Sequence, residues 1–317
     1  MKLTTPVIID APQVPFRLSD RIMLLGSCFA DNIGARLSAA GFSTCVNPFG
    51  TLYNPESIRS AVARLDSGEP FGPDDCVPMG AGAGRICSFE HHTSFARPTA
   101  EEFLANANEE LRKAREFWAD ANRVVLTLGT AFVWRHNGRT VSNCLKRPAA
   151  EFTREMLSVT QASEALRAIV AAHPEKRFLL TVSPIRHLGD GAHANALSKA
   201  TLLLAAAAVA DSAAASGNRA TLGNVRGGTA KRWGPKDVSG GWLPGSEEAV
   251  EYFPAYEIMM DELRDYRFYA DDLVHPSQVA VQFIWERFLS TFVVPSDLPQ
   301  ISQNEKDSKL KAHRPIL

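Results

Sequence analysis

The sequence predicts an α/β fold built on a mainly parallel sheet. Short apolar runs alternate with segments of helical periodicity, which is the signature of βαβ units. A chain of 317 residues with 45% hydrophobic and 22% charged content can also bury one large core. One domain is expected over residues 1–294, with a Gly-rich excursion at about 217–245 and a polar tail at 295–317.

The first strand runs from Arg21 to Leu25, and Phe29, Ile33 and Leu37 then recur at helical spacing, closed by Gly41. Ser43 to Val46 reads as a second strand leading into Asn47-Pro-Phe-Gly50, and a helix starts near Pro55. The polar, Gly-rich stretch from Gly68 to Gly84 reads as loop. Glu101 to Ala119 is helical in composition, and the β-branched run Arg123 to Gly129 reads as a buried parallel strand. Glu151 to Ala172 follows as an amphipathic helix, then a strand from Arg177 to Ser183 that Pro184 stops. A long helix spans about Asn195 to Ala215, and Val250 to Tyr256 is the last strand. A final helix begins near Pro276, in a first turn where proline is well tolerated, and Val279, Phe283, Ile284 and Phe288 form its apolar face. From Pro295 onward the composition is that of a disordered tail.

A formal charge of -1 gives no reason to expect nucleic acid as a partner. Five irregularly spaced cysteines without a CxxC pair suggest neither a disulfide framework nor a zinc ribbon, so a reducing cytoplasm is expected. Pro6 and Asp10 interrupt the N-terminus before a signal-peptide core forms. The apolar run Thr201 to Ala210 is shorter than the ~20 residues a membrane span needs, so no membrane is expected either.

Sites in open parallel sheets gather at the carboxyl ends of the strands. Ser27 follows one such end, Asn47 to Gly50 another, Gly129-Thr130 a third and Ser183 a fourth. Near the other end of the chain, Asp272-x-x-His275 lets one tight turn set a carboxylate beside an imidazole, the orienting half of a nucleophilic triad. Ser27 and Cys28 compete for the nucleophile's role. Cys28 is intrinsically stronger, yet one residue further into a helix points about 100° away, given roughly 3.6 residues per turn, so only one of the two faces His275. A thiolate paired with His is the alternative to a serine. Tyr53, Tyr252, Tyr256 and Trp242 are candidates to stack on a sugar ring, and His187 and Arg186 to bind substrate at the rim. Arg264 and Arg267 compete with Arg186 as anion binders, His91-His92 borders the pocket, and His187, Asp190 and His193 have a weak metal-like spacing on a Gly-bearing loop.

The segments Gly26-Ser-Cys-Phe-Ala30, Asn47-Pro-Phe-Gly-Thr-Leu-Tyr-Asn-Pro55, Thr127-Leu-Gly-Thr-Ala131, Asn143-Cys-Leu-Lys146, Thr181 to His187, Ser198-Lys199, Tyr252 to Ile258 and Leu263 to Pro276 resemble the GSCFA domain family, and through it the SGNH hydrolases. The resemblance implies a three-layer α/β/α fold with flavodoxin-like strand order and a serine esterase or O-acyltransferase that needs no cofactor or metal. Its substrate would be a small-molecule or carbohydrate ester. It also implies Ser27 as nucleophile, His275 as base, Asp272 as orienting acid, and Cys28 as inert packing. Ser27 and Gly50 would then supply backbone N–H groups to an oxyanion hole. The superfamily's usual Asn donor is replaced by Thr130, leaving Asn143 to supply an amide. A non-catalytic glycan- or protein-binding module is the reading from another class.

Overall fold

The computed structural model describes residues 5–80, 82–217 and 250–313. Its strands are β1 (Arg21–Gly26), β2 (Ser43–Val46), β3 (Val77–Pro78), β4 (Ile86–Cys87), β5 (Arg123–Leu128), β6 (Phe132–His136), β7 (Arg139–Val141), β8 (Phe152–Met156), β9 (Arg177–Val182) and β10 (Val250–Tyr252). The helices are α1 (Cys28–Ala39), α2 (Pro55–Ser67), α3 (Ala100–Asp120), α4 (Val159–Ala172), α5 (Ala192–Gly217), α6 (Ala255–Glu257), α7 (Gln278–Phe292) and α8 (Leu298–His313).

Five strands form the central sheet in the order β10-β9-β5-β1-β2, and every pair in it is parallel. Taken in chain order, these strands lie 2-1-3-4-5, the flavodoxin-like arrangement, whose topological switch point falls between β1 and β5. Side chains alternate across the sheet. Met23 and Leu25 of β1 join the core under α2, α3, α4 and α5, whereas Ile22 and Leu24 join the one under α1, α6, α7 and α8. The three-layer architecture follows from this two-sided burial. At the end of β1, Gly26 has φ +147°, and a Cβ there would lie 2.2 Å from the Thr127 carbonyl oxygen. Only glycine lets β1 pair with β5 up to its own last residue, Gly26 against Thr127.

Several expectations need correction. The stretch from Glu151 is not helix throughout. Phe152–Met156 pairs with β6, which also pairs with β7, in a small antiparallel sheet inserted after β5. Helix α4 starts only where Ser158 and Gln161 make a reciprocal capping box. The loop from Gly68 to Gly84 includes β3, paired with β4. Pro276 lies before the last core helix, whose N-cap is Ser277. The tail beyond residue 295 is largely helix α8, polar because it docks through few groups. Ile301 is buried, Asn304 Nδ2 donates to the Ala40 carbonyl at 2.8 Å, and Trp285 Nε1 donates to Glu305 at 2.7 Å. The segment beyond Gly217, including Trp242, lies outside the described residues. Among the described residues one helix, α5, is long and apolar enough to cross a membrane. Leu202, Ala205, Ala206 and Val209 on α5 are buried in the core of this domain.

His91 is fully buried among Phe49, Phe71, Phe95 and Phe103, with ring centroids 4.5 to 5.6 Å away. Its Nδ1 shares a 2.7 Å hydrogen bond with Ser88 Oγ, and Nε2 has no partner among the described residues. It is therefore a core residue and does not border the cavity. Burial, aided by Arg64, pushes its pKa down to about 3, so the ring is neutral in the folded state. The unfolded chain protonates this histidine near pH 6.5, so its contribution is fully present above that pH and declines as pH falls toward 3. Chemical denaturation at pH 6.5 and 5 should show a loss of roughly 2 kcal/mol attributable to His91. His91→Phe should remove that share of the pH dependence, whatever its effect on absolute stability.

Candidate active site

The polypeptide leaves β1 at Gly26 and enters α1 without an intervening loop. The Ser27 N–H continues the sheet by donating to Thr127 O at 3.0 Å, while its Oγ caps the helix by accepting from the Phe29 N–H at 3.3 Å. Ser27 is buried at 1% exposure and does not line the cavity at this end of the sheet. Cys28 is the first helical residue. Helical Cα–Cβ bonds tilt toward the N-terminus, which carries its thiol back over the strand end.

The partner imidazole comes from the chain segment before α7. Residues 270–275 form a tight turn closed by the Ala270 N–H to His275 O bond at 2.8 Å, with Leu273 at φ +56°. Asp272 Oδ2 lies 2.6 Å from His275 Nδ1, and Asp272 Oδ1 accepts the N–H groups of Val274 and His275 at 2.9 Å each. Those two backbone donors, His275 first, hold the Asp272 carboxyl down to about 2, so it is ionised and orients the ring. His275 Nε2 then points at sulfur: the Cys28 Sγ is 3.9 Å away.

Of the two neighbours, Cys28 and not Ser27 is the one whose side chain lies against His275. The hydroxyl of Ser27 is committed to the helix start, and the thiol of Cys28, expected to be inert, is the group that meets His275. Burial and then Asp31 push the Cys28 thiol up, against its own N–H, Lys199 and the Phe29 N–H, so it is protonated at neutral pH.

A cavity of about 570 Å³ opens beside this pair and is lined by Cys28 and His275 together with Tyr53, Thr130, Asn143, Arg186 and His187. Gly50 is not part of it. Its N–H donates to Asn47 O at 2.7 Å, and its missing side chain admits His92, whose Cβ would be 2.3 Å from a Gly50 Cβ. The Ser27 N–H is likewise engaged, by the Thr127 carbonyl. The Thr130 N–H donates to Tyr53 O at 2.8 Å, and its Oγ1 accepts from the Phe132 N–H and shares a 3.0 Å bond with Ser198 Oγ. Asn143 keeps its Nδ2 as a donor, because Oδ1 accepts from the Leu145 N–H at 2.8 Å. Asn54 was not anticipated and has the same design: Oδ1 caps α2 through the Ser57 N–H at 2.8 Å, and the residue lines the cavity. Before a proline at a helix start, an asparagine reads only as a cap, so the sequence carried no further signal.

His187 presents a ring neutralised by burial, its pKa pushed down to about 4, and stands edge-on to Tyr53 at 5.8 Å. Tyr252 donates to the Glu257 carboxylate at 2.9 and 3.0 Å, and neither it nor Tyr256 lines the cavity. Asp190 pairs with Arg154. Among the described residues no group of three or more His, Cys, Asp or Glu has the arrangement of a metal site.

Beneath the rim, Lys199 is buried at 1% exposure and donates to Gly129 O at 2.6 Å and Ser183 O at 2.8 Å. It ties the ends of β5 and β9 together, and burial pushes its pKa down to about 7. Lys199→Met should lower unfolding free energy by roughly 2–4 kcal/mol, because two buried carbonyls lose their donor. Urea unfolding of the variant measures this, and wild-type stability would remove the assigned role.

A search of curated proteins finds no match to this chain, and a search of solved structures finds none either. The GSCFA family model matches residues 21–217 and 242–288, and the chain belongs to the GSCFA family.

Proposed function

We propose that the chain is an esterase-type acyl-transfer enzyme with Cys28 as nucleophile, His275 as general base and Asp272 as the group that orients it. The observation that carries this reading is the alignment of Cys28 Sγ, His275 Nε2 and Asp272 Oδ2 beside an open cavity. A relation to the SGNH hydrolases is part of the proposal, supported by the 2-1-3-4-5 strand order and by the switch-point position of the site.

His275 takes the thiol proton as Sγ attacks the carbonyl carbon of a small O-acyl ester. The charge that develops on the carbonyl oxygen meets the Cys28 N–H at the open start of α1 and an amide Nδ2 from Asn143 or Asn54. As the tetrahedral intermediate collapses, the alcohol leaves with the proton held by His275, and the acyl group stays on sulfur as a thioester. His275 then removes a proton from water, the hydroxide attacks the thioester carbon, and the acid departs with the thiol restored. A sugar hydroxyl entering in place of water makes the same chemistry an O-acyl transfer. Tyr53, Phe132 and Trp134 in the cavity wall suit a carbohydrate ring. No cofactor enters this scheme, and the five free thiols fit a reducing, cytoplasmic setting.

Turnover of an aryl acetate should fall roughly a hundredfold or more in Cys28→Ala and in His275→Ala. Ser27→Ala should keep most of the turnover while losing about 1 kcal/mol of stability with its cap. Mass measurement of the trapped intermediate should find one acetyl group on the peptide containing Cys28. The opposite pattern, with Ser27→Ala inactive and Cys28→Ala active, would return the nucleophile to the hydroxyl and reject this assignment.

A further inference from the structure

We propose that this cavity takes an ester bearing a carboxylate or phosphate group, and that Arg186 binds that anion beside the reacting thiol. The inference rests on the acyl-transfer reading above and names the substrate class for the same site. Two arginines line the cavity. Arg154 is neutralised by Asp190 at 2.5 Å and lies over the Phe132 ring at 4.0 Å, so its charge is already matched. Arg186 makes no ion pair among the described residues.

Acidic groups between Glu257 and Asp272, on the chain segment that leads to His275, are also committed elsewhere. Glu257 accepts from Tyr252, Asp261 pairs with Arg264, Asp265 with Arg267, and Asp272 with His275. The Arg186 N–H donates to Val274 O at 3.4 Å, which fixes this residue against the turn that carries His275. Arg186 is only partly exposed, so an anion bound to it is incompletely screened by water. A planar guanidinium without a carboxylate partner suits bidentate binding of a carboxylate or phosphate. The buried Lys199, with its pKa pushed down to about 7, adds part of a positive charge beneath the same rim. Arg264 and Arg267, the other candidates for this role, are paired on the surface away from the cavity.

Iodoacetate and iodoacetamide test this without requiring turnover. Each forms a bond from thiolate sulfur to its methylene carbon and expels iodide, and the two differ in charge. Their rates at Cys28 are read by peptide mass spectrometry on the full chain. The ratio of iodoacetate to iodoacetamide labelling should be at least fivefold higher in the wild type than in Arg186→Met, with Arg186→Lys between them. Arg186→Gln serves the same comparison if the Met variant does not fold. Succinate or inorganic phosphate should slow iodoacetate labelling of the wild type, and whichever competes better identifies the anion. A ratio changed less than fivefold, or no competition by either anion, overturns the inference. Loss of the ester chemistry in the earlier assay would bear on the acyl-transfer reading alone.

Discussion

The close approach of Gly26 to Thr127 is the constraint on which the site depends. Because no side chain intervenes, β1 stays paired with β5 to its last residue, Gly26, and the Ser27 N–H adds one more rung to the ladder. The chain therefore enters α1 without a loop. That abrupt entry makes Ser27 the cap and Cys28 the first helical residue, and the direction of helical side chains brings sulfur over the strand end. A longer connection would leave both side chains free to choose. Here the helix start has chosen.

The rim around this junction is held by buried polar groups whose bonding capacity is largely used. Asn47, at φ +44°, accepts from the Gly26 N–H at 2.9 Å and donates to Asp31 at 2.6 Å, linking the end of β1 to α1. The Tyr53 carbonyl accepts two N–H groups, from Gly129 and Thr130, and so anchors the same loop to the end of β5. Lys199 then joins the ends of β5 and β9. Unsatisfied, each of these groups would cost about 1–3 kcal/mol on burial; satisfied, they make the rim rigid. Rigidity matters because Cys28 and His275 lie on elements far apart in the chain and must meet within hydrogen-bonding reach.

The electrostatic setting separates the roles of the two histidines in the cavity. His187 is kept neutral by burial and by Lys199, and an imidazole so depressed is a poor base. His275 is half exposed and has an ionised carboxylate on Nδ1, which fixes the orientation of its ring. Burial holds the Cys28 thiol up, and in the proposed mechanism it keeps its proton until His275 removes it. This arrangement suits general-base activation at the moment of attack more than a thiolate formed in advance.

The alternation of apolar runs with helical periodicity was enough to determine the α/β class, the five principal strands and the strand ends where chemistry collects. Asp272-x-x-His275 was legible for the same reason: its members are close in sequence, and a single turn unites them. What spacing could not express was the antiparallel insert at β6 to β8, where Phe152–Met156 has no core face of its own. Nor could it reveal the docking of α8 through one buried isoleucine. The choice between Ser27 and Cys28 belonged to tertiary structure alone. Both residue types suit a strand end, and only the three-dimensional path from β1 into α1 decides which one spends its side chain on the helix cap and which one faces an imidazole from the far end of the chain.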